Sequence, residues 1–388
     1  MPRSAGSGDA PFGRRLRQLR ESRGLSTRGL AELAHYSKSY VNDLERGARA
    51  PTEAAALRLD DKLGARGDLA GRAGFGGPAP PSRPDAGEPL GEADVNRMHH
   101  LIRHLVALDT LHGSAGLAPA ADRAFRTIRT QLGTAGVRPG MHADVRSALA
   151  ELGEVTAWLA YDSELHDLSR RAATEALLIA QSAGDSSMSR FVLSQLALQA
   201  LHLGRPTEAL ALVSRVTGDE PRSRRVAAML QVRRAGALGA LGDTAEALRE
   251  LTRARAELGT GVGPDDPAWS WWLHSAELAG HEATIRAAGG DLAGAIAAAE
   301  EAVLLMPSEQ GRDQALFRAR LLSYLVDAQA WREAGWIAAD LAIYAAGVGS
   351  ARVPAIVRQT ERRAIRDGAP TWLLEALRAA ADAADPAA

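Results

Sequence analysis

The 388-residue chain contains no cysteine, only two lysines (Lys38 and Lys62) and few aromatic residues, 4% of the total. Without thiols, disulfide frameworks, Cys-ligated zinc and thiolate nucleophiles are excluded. With so few aromatic rings, the cores have to be assembled from Ala, Leu and Val, which a hydrophobic content of 46% supplies. No apolar run reaches the 18 residues of a membrane-spanning helix. Met1–Ala10 lacks the apolar stretch of a secretory signal. A cytoplasmic protein with no membrane partner is the reading that follows. Enzyme signatures are missing as well. Neither lysine follows a glycine, so there is no phosphate-binding loop, and no G-x-S-x-G occurs. Gly259, Gly261 and Gly263 alternate without a preceding strand. His281-Glu282-Ala283-Thr284-Ile285 opens like a zinc-protease helix but carries Ile285 where the second histidine is needed. These absences speak against catalysis and call for no cofactor.

What is present is unevenly distributed. The net charge is −1, yet residues 11–66 alone carry 12 Arg/Lys against 7 Asp/Glu, or +5, which leaves about −6 for the rest. A basic module on an acidic body is the electrostatic footprint of a nucleic-acid-binding head. Within that module the spacing predicts a helix over about Phe12–Ser22, with Leu16 and Leu19 inward and Arg14, Arg15, Arg17 and Arg20 on the remaining faces, available to phosphates. Gly24 stops it. Ser26 caps a second helix carrying Leu30 and Leu33 inward, with Ala31 small at a helix crossing. His35-Tyr36 turns into a third helix, capped by Ser37, whose Val41 and Leu44 face the core. Lys38, Ser39, Tyr40, Asn42 and Asp43 are left on its other faces. Gly47 ends this helix, Pro51 opens the next, and a fourth helix over Thr52–Leu63 is closed by Gly64.

The pattern L-R-x-L-R-x-x-R-G-L-S-T-x-x-L-A-x-x-A, followed by S-x-S-Y-V-x-x-L-E-R-G-x-R-x-P, resembles the Cro/C1-type (XRE) helix-turn-helix family over about Leu16–Leu69. The resemblance implies a five-helix domain, usually dimeric, on a double-stranded DNA operator. By position it assigns Thr27, Arg28, Ser37, Lys38, Ser39, Tyr40 and Asn42 to the DNA face. Thr27 departs from the family, where glutamine is usual. Glu45 is expected to pair with a nearby arginine rather than to read bases.

Composition changes abruptly at residues 71–92, a Gly/Pro-rich linker that is part flexible and part polyproline. It separates the head (residues 11–70) from a helical body (93–385). Within the body Gly204-Arg205-Pro206-Thr207-Glu208-Ala209-Leu210 aligns with Gly242-Asp243-Thr244-Ala245-Glu246-Ala247-Leu248, with Gly290-Asp291-Leu292-Ala293-Gly294-Ala295-Ile296 and, more weakly, with the segment from Gln329 to Gly335. The spacings are 38, 48 and 39. The long spacing holds an inserted loop at Gly259–Pro264. The repeat resembles a degenerate tetratricopeptide (TPR) repeat, which implies an α-solenoid of helical hairpins. Further pairs are expected at Val95–Leu132, Ala143–Ser182 and Ala351–Ala383. The fold expected for the whole chain is all-α. A helix-turn-helix head on a TPR-like body resembles a group of bacterial regulators, some of which sense peptides or small signalling molecules.

Stacked hairpins create a concave groove lined by the first helix of each pair. Trp269-Ser270-Trp271-Trp272-Leu273-His274-Ser275-Ala276-Glu277 is the richest such segment, read as helical. Its three tryptophans cannot all face one core, so at least one is expected at a groove. Gln199, Arg234, Trp271, Trp272, His274, Glu277 and Arg318 are the ligand-binding candidates, with Gln195, His202 and Gln231 as further polar positions. His274, Glu277 and His281 share a helical face but need ligands from other helices to hold a metal. His99, His100, His104 and His112 lack a completing carboxylate pair and read as surface histidines. The function expected is a sequence-specific DNA-binding regulator, homodimeric through the body, sensing a peptide or small molecule. The alternative kept open is a scaffold regulated by protein partners alone.

Overall fold

The computed structural model describes residues 11–65, 68–69, 73, 88–215, 223–259 and 261–385. The chain divides into two compact units, Met1–Glu88 and Pro89–Ala388.

The first unit contains α1 (Pro11–Ser22), α2 (Thr27–Ala34), α3 (Lys38–Glu45) and α4 (Glu53–Lys62). Three hydroxyls start three of these helices. Ser26 Oγ accepts from the Gly29 N–H (3.0 Å), Ser37 Oγ from Tyr40 N–H (3.1 Å) and Thr52 Oγ1 from Ala55 N–H (3.3 Å). Each satisfies an N–H with no intrahelical acceptor. Thr52 is therefore the cap of α4, and Pro51 precedes the cap instead of opening the helix. His35 closes α2 in the left-handed region (φ 57°), unusual outside glycine and suited to the tight turn into α3. Phe12, Leu16, Leu30, Ala34, Val41, Leu44, Leu59 and Leu63 form the core. Leu33 does not join it and is 42% exposed. The buried stripe of α2 runs Leu30–Ala31–Ala34, and Leu33 falls on its outer flank. The expected fifth helix and the linker lie largely outside the described residues. Asp68 and Leu69 are helical and Leu69 is buried, while the far end of the expected linker is already helix by Glu92.

The second unit is built from α5 (Glu92–His112), α6 (Leu117–Ala135), α7 (His142–Asp162), α8 (His166–Ala183), α9 (Ser186–His202), α10 (Pro206–Ser214), α11 (Arg224–Ala240), α12 (Thr244–Leu258), α13 (Ser275–Ala288), α14 (Leu292–Leu305), α15 (Gly311–Asp327), α16 (Trp331–Ala345), α17 (Arg352–Arg366) and α18 (Thr371–Ala383). From α7 onward they pack as antiparallel hairpins, and most first helices pack on the first helix of the next pair, while α13 reaches α15 through Thr284 Oγ1 and Tyr324 OH (3.2 Å). The α5–α6 pair is looser; both helices lean on α7. The hairpin turns carry a left-handed residue at Glu164, Gly204, Gly242, Gly290, Gln329 and Gly368, with φ between 56° and 94°. Four of these are the residues on which the sequence repeat aligned, so the repeat marks the helix C-termini. Alanine dominates the contacts between paired helices, with Ala172, Ala173, Ala176 and Ala180 on α8 all buried. A small side chain at the crossing lets backbones approach closely.

The stack closes on itself. The Ala115 N–H donates to Gly349 O (2.7 Å) and the Gly349 N–H to His112 O (2.6 Å), joining the α5–α6 turn to the segment before α17. Backbones meet there so tightly that a Cβ on Gly113 would lie 2.8 Å from the Gly349 carbonyl. Arg312 on α15 reaches Asp109 on α5 at 2.7 Å, and Arg352 on α17 reaches Asp162 on α7 at 3.4 Å. All four are buried.

Candidate functional site

In the head, α3 presents a clean division. Val41 and Leu44 are fully buried, whereas Ser37, Lys38, Ser39 and Asn42 are exposed. Tyr40 is half-buried. Its ring lies 5.0 Å from that of Tyr36, with the Arg49 guanidinium 4.9 Å above it and Arg58 5.4 Å above Tyr36. These two arginines add positive charge beside α3 and hold the tyrosines in place. Arg49 is the arginine of the motif's closing R-x-P, yet the resemblance assigns neither it nor Arg58 to the DNA face. Thr27 occupies the first turn of α2 and is half-buried. Arg28 is exposed and paired with Glu32 at 3.0 Å. Such an exposed i,i+4 pair is worth only about 0.3–0.5 kcal/mol, so it leaves Arg28 available.

The α1 arginines do not form one phosphate face. Arg20 is buried, with Nε 2.5 Å from Glu45 Oε1, Nη2 3.0 Å from Oε2 and Nη1 2.9 Å from Leu25 O. This bidentate pair ties α1 to the end of α3, as expected of Glu45, and removes Arg20 from any DNA face. Arg15 pairs with Asp68 and Arg17 with Glu21, leaving Arg14 and Arg17 as the exposed α1 cations.

In the body, the tryptophan segment is not the start of a helix. Ala268–Trp272 forms a 3₁₀ turn, and α13 begins at Ser275 with His274 as its N-cap. Trp269 stacks on Phe191 of α9 (4.2 Å, 3° between planes) and Trp272 lies 6.2 Å from the same ring, so two of the three cover that helix while Trp271 remains 45% exposed. Arg225 donates from Nη2 to Ser270 O at 2.9 Å and also to Leu273 O, and Asp266 accepts from Ser223 Oγ at 2.6 Å. The inserted loop is thereby fastened to the start of α11.

Three ligand candidates serve the frame instead of a groove. Gln199 is buried and donates from Nε2 to His166 O (2.8 Å). Arg234 points back to Glu250 of α12 (3.1 Å). Arg318 is buried against Asp340 (2.6 Å), 3.6 Å from the Tyr344 ring centre. The residue that α11 directs across the first helices is Arg233. Its Nη1 meets His281 Nε2 (3.0 Å), its Nε meets Ser194 Oγ (3.2 Å), and its guanidinium lies 5.4 Å from the Trp272 ring centre. A lone arginine in phase with the apolar stripe Met229–Ala237 was the available signal. Glu277, Asp313, Arg312 and Arg320 act on one another within the same region. Of the candidates, Trp272 and Glu277 are thus brought together through Arg233.

Burial, and then the Asp313 carboxylate, push the Glu277 carboxyl up to about 7 against the pull of Arg320, Arg233 and Arg312. Burial followed by Arg233 and Arg320 holds the His281 imidazole well below its usual range, so it is neutral and accepts from Arg233. On α7, Glu154 is 3% exposed, and burial with the neighbouring Glu151 lifts it to about 8. A carboxyl raised on folding binds a proton that the unfolded chain has already lost. Stability therefore falls as pH rises from the unfolded value near 4.5 through 8, and the penalty is complete above that. Glu154→Gln removes the penalty. The variant should match the parent at pH 5 and exceed it at pH 9 by on the order of 3–5 kcal/mol. Urea denaturation at both pH values checks this; an equal midpoint shift at both would contradict it.

Part of the first unit matches a known domain model. Residues 11–73 match the family model described as a helix-turn-helix domain. No curated protein matches the chain. Among solved structures, PlcR of Bacillus thuringiensis in complex with the peptide PapR7 and DNA aligns with 84% of this chain and 99% of its own, at 13% identity and a TM-score of 0.36. The apo form of the competence regulator ComR from Streptococcus vestibularis aligns with 81% and 98%, at 12% identity and a TM-score of 0.34.

Proposed function

We propose that this chain is a sequence-specific DNA-binding transcriptional regulator whose TPR-like body senses an effector. The observation that carries it is the division of labour on α3. Val41 and Leu44 hold the helix in the core, while Lys38, Ser39 and Asn42 stand free on its first turns, where a recognition helix meets base edges. Lys38 supplies charge, and Asn42 has both a donor and an acceptor for an adenine edge. Thr27, Arg28, Ser37 and Tyr40 border this face and position the backbone. A single short helix reads few bases, so the working form on an operator is a homodimer, joined through the body. The effector face is the inner wall around Arg233, Trp272 and Glu277. There, paired charges of both signs beside an indole suit a short peptide or a zwitterionic small molecule. An effector acts by binding the DNA-competent and incompetent arrangements unequally. The reading is of a regulator rather than an enzyme. Among the described residues no helix is long and apolar enough to cross a membrane; a regulator of this kind would work in the cytoplasm, where the DNA is.

Genome-wide capture of DNA bound by the full chain tests this. The expected result is a recurring motif upstream of genes. Recovery of fragments without a shared motif would overturn the reading.

A further inference from the structure

A second cluster of polar side chains lies at the turn joining α7 to α8. Glu164, His166 and His202 converge there, with one ligand atom from each lying within 4.8 Å of the others. Glu164 Oε2 is 3.2 Å from His166 Nε2, and Glu164 Oε1 is 3.3 Å from His202 Nε2. We propose that this triad binds a first-row divalent cation, zinc foremost, with its remaining coordination position open to water or a further ligand.

Three observations support it, beginning with the spacing. Charge-assisted N–H···O bonds run at about 2.7–2.9 Å. Nitrogen and oxygen ligands about 2.0–2.2 Å from a tetrahedral zinc are separated by about 3.3–3.5 Å. The two Glu164–histidine contacts, one to each carboxylate oxygen, are longer than the usual charge-assisted hydrogen bond, and one ligand atom from each of the three residues lies within 4.8 Å of the others. The second is the backbone. Glu164 has φ 58° at the hairpin-turn position that glycine takes in Gly204, Gly242, Gly290 and Gly368 and that Gln329 takes in one other turn, so the left-handed backbone fixes where the carboxylate leaves the chain. The third is support around the ligands. Gln199 fixes the His166 backbone. The Tyr161 ring packs edge-on against His202 at 5.4 Å, and the two imidazoles lie 5.0 Å apart. The site is half-exposed, which gives an ion access.

Glu164 and His166 belong to the α7–α8 hairpin, and His202 ends α9. A bound ion would therefore clamp two successive hairpins, adding a metal-dependent constraint on the body. This inference does not depend on the DNA-binding reading. The test uses the full chain stripped with a chelator and titrated with Zn²⁺ alone by calorimetry, then with Co²⁺ followed by visible absorption. One ion per chain is expected. Glu164→Gln and His202→Ala should each weaken it about 100-fold or more, since even outer-shell changes cost up to that. His99→Ala should leave it unchanged. Glu164→Gly decides the matter even if His202→Ala misfolds. Glycine suits the left-handed turn, so that variant should keep the parent's melting temperature or exceed it while losing the ion. No uptake by the parent, or uptake retained by Glu164→Gly, would overturn the proposal.

Discussion

Replacing Lys38 and Asn42 together with alanine should abolish sequence-specific DNA binding while leaving the head folded. Both side chains are exposed on α3, and neither takes part in the core of Leu16, Leu30, Val41 and Leu44. Surface substitutions of this kind usually change stability by less than about 0.5 kcal/mol. Each well-placed base contact discriminates by about 1–3 kcal/mol. Losing two should therefore weaken operator binding by roughly 10²–10³-fold, with binding to unrelated DNA reduced far less because most phosphate contacts remain. Fluorescence anisotropy with operator and scrambled duplexes, alongside circular dichroism, checks both halves. Unchanged operator affinity in a folded variant would remove α3 from the interface.

Arg20→Ala is expected to act in the opposite way, on the fold and only through it on DNA. Arg20 and Glu45 are 8% exposed each and joined by two hydrogen bonds. Removing the guanidinium leaves a buried carboxylate without its partner, which costs about 3–5 kcal/mol. A domain of this size has a small core and a total stability of the same order. The head should therefore unfold at ambient temperature while the body stays intact. Hydrogen exchange resolved along the chain reads this directly: protection in α1–α4 collapses and protection in α7–α16 persists. The double replacement Arg20→Met with Glu45→Met should restore a folded head, because an apolar pair of similar volume avoids the stranded charge. If Arg20 were instead a phosphate contact, Arg20→Ala would give a folded head with weaker DNA binding, and the double variant would rescue nothing.

Local chemistry was what the sequence disclosed best. The serine caps, the left-handed glycines and the Val41–Leu44 stripe are short-range features, and each kept its meaning in the structure. The repeat was legible for the same reason, since Gly204, Gly242, Gly290 and Gln329 all mark one backbone conformation. Errors arose where a side chain's direction depends on distant packing. Leu33 satisfied helical spacing but lies on the wrong flank of a two-turn helix. Arg20 looked like its exposed neighbours until Glu45 arrived from another helix. The tryptophan segment has a helix-compatible pattern, yet it folds as a 3₁₀ turn that seats Trp269 and Trp272 on Phe191. Arg234 was preferred to Arg233, although a rotation of one residue decides which faces inward. The closure through Arg312–Asp109 and Gly349–His112 joins residues some two hundred positions apart. It rests on rotation accumulated over successive hairpins, which no local pattern encodes.

The central claim is that the head reads sequence and is not merely a basic patch. Its most direct test is the affinity of the full chain for its recovered DNA site and for a scrambled duplex, each measured across a salt series. Sequence reading predicts a specific-to-scrambled ratio of about 10³ or more at physiological salt, with both affinities falling linearly on a log–log plot as counterions are released. Equal affinities at every salt concentration would reduce the head to a non-specific polyanion binder and contradict the account.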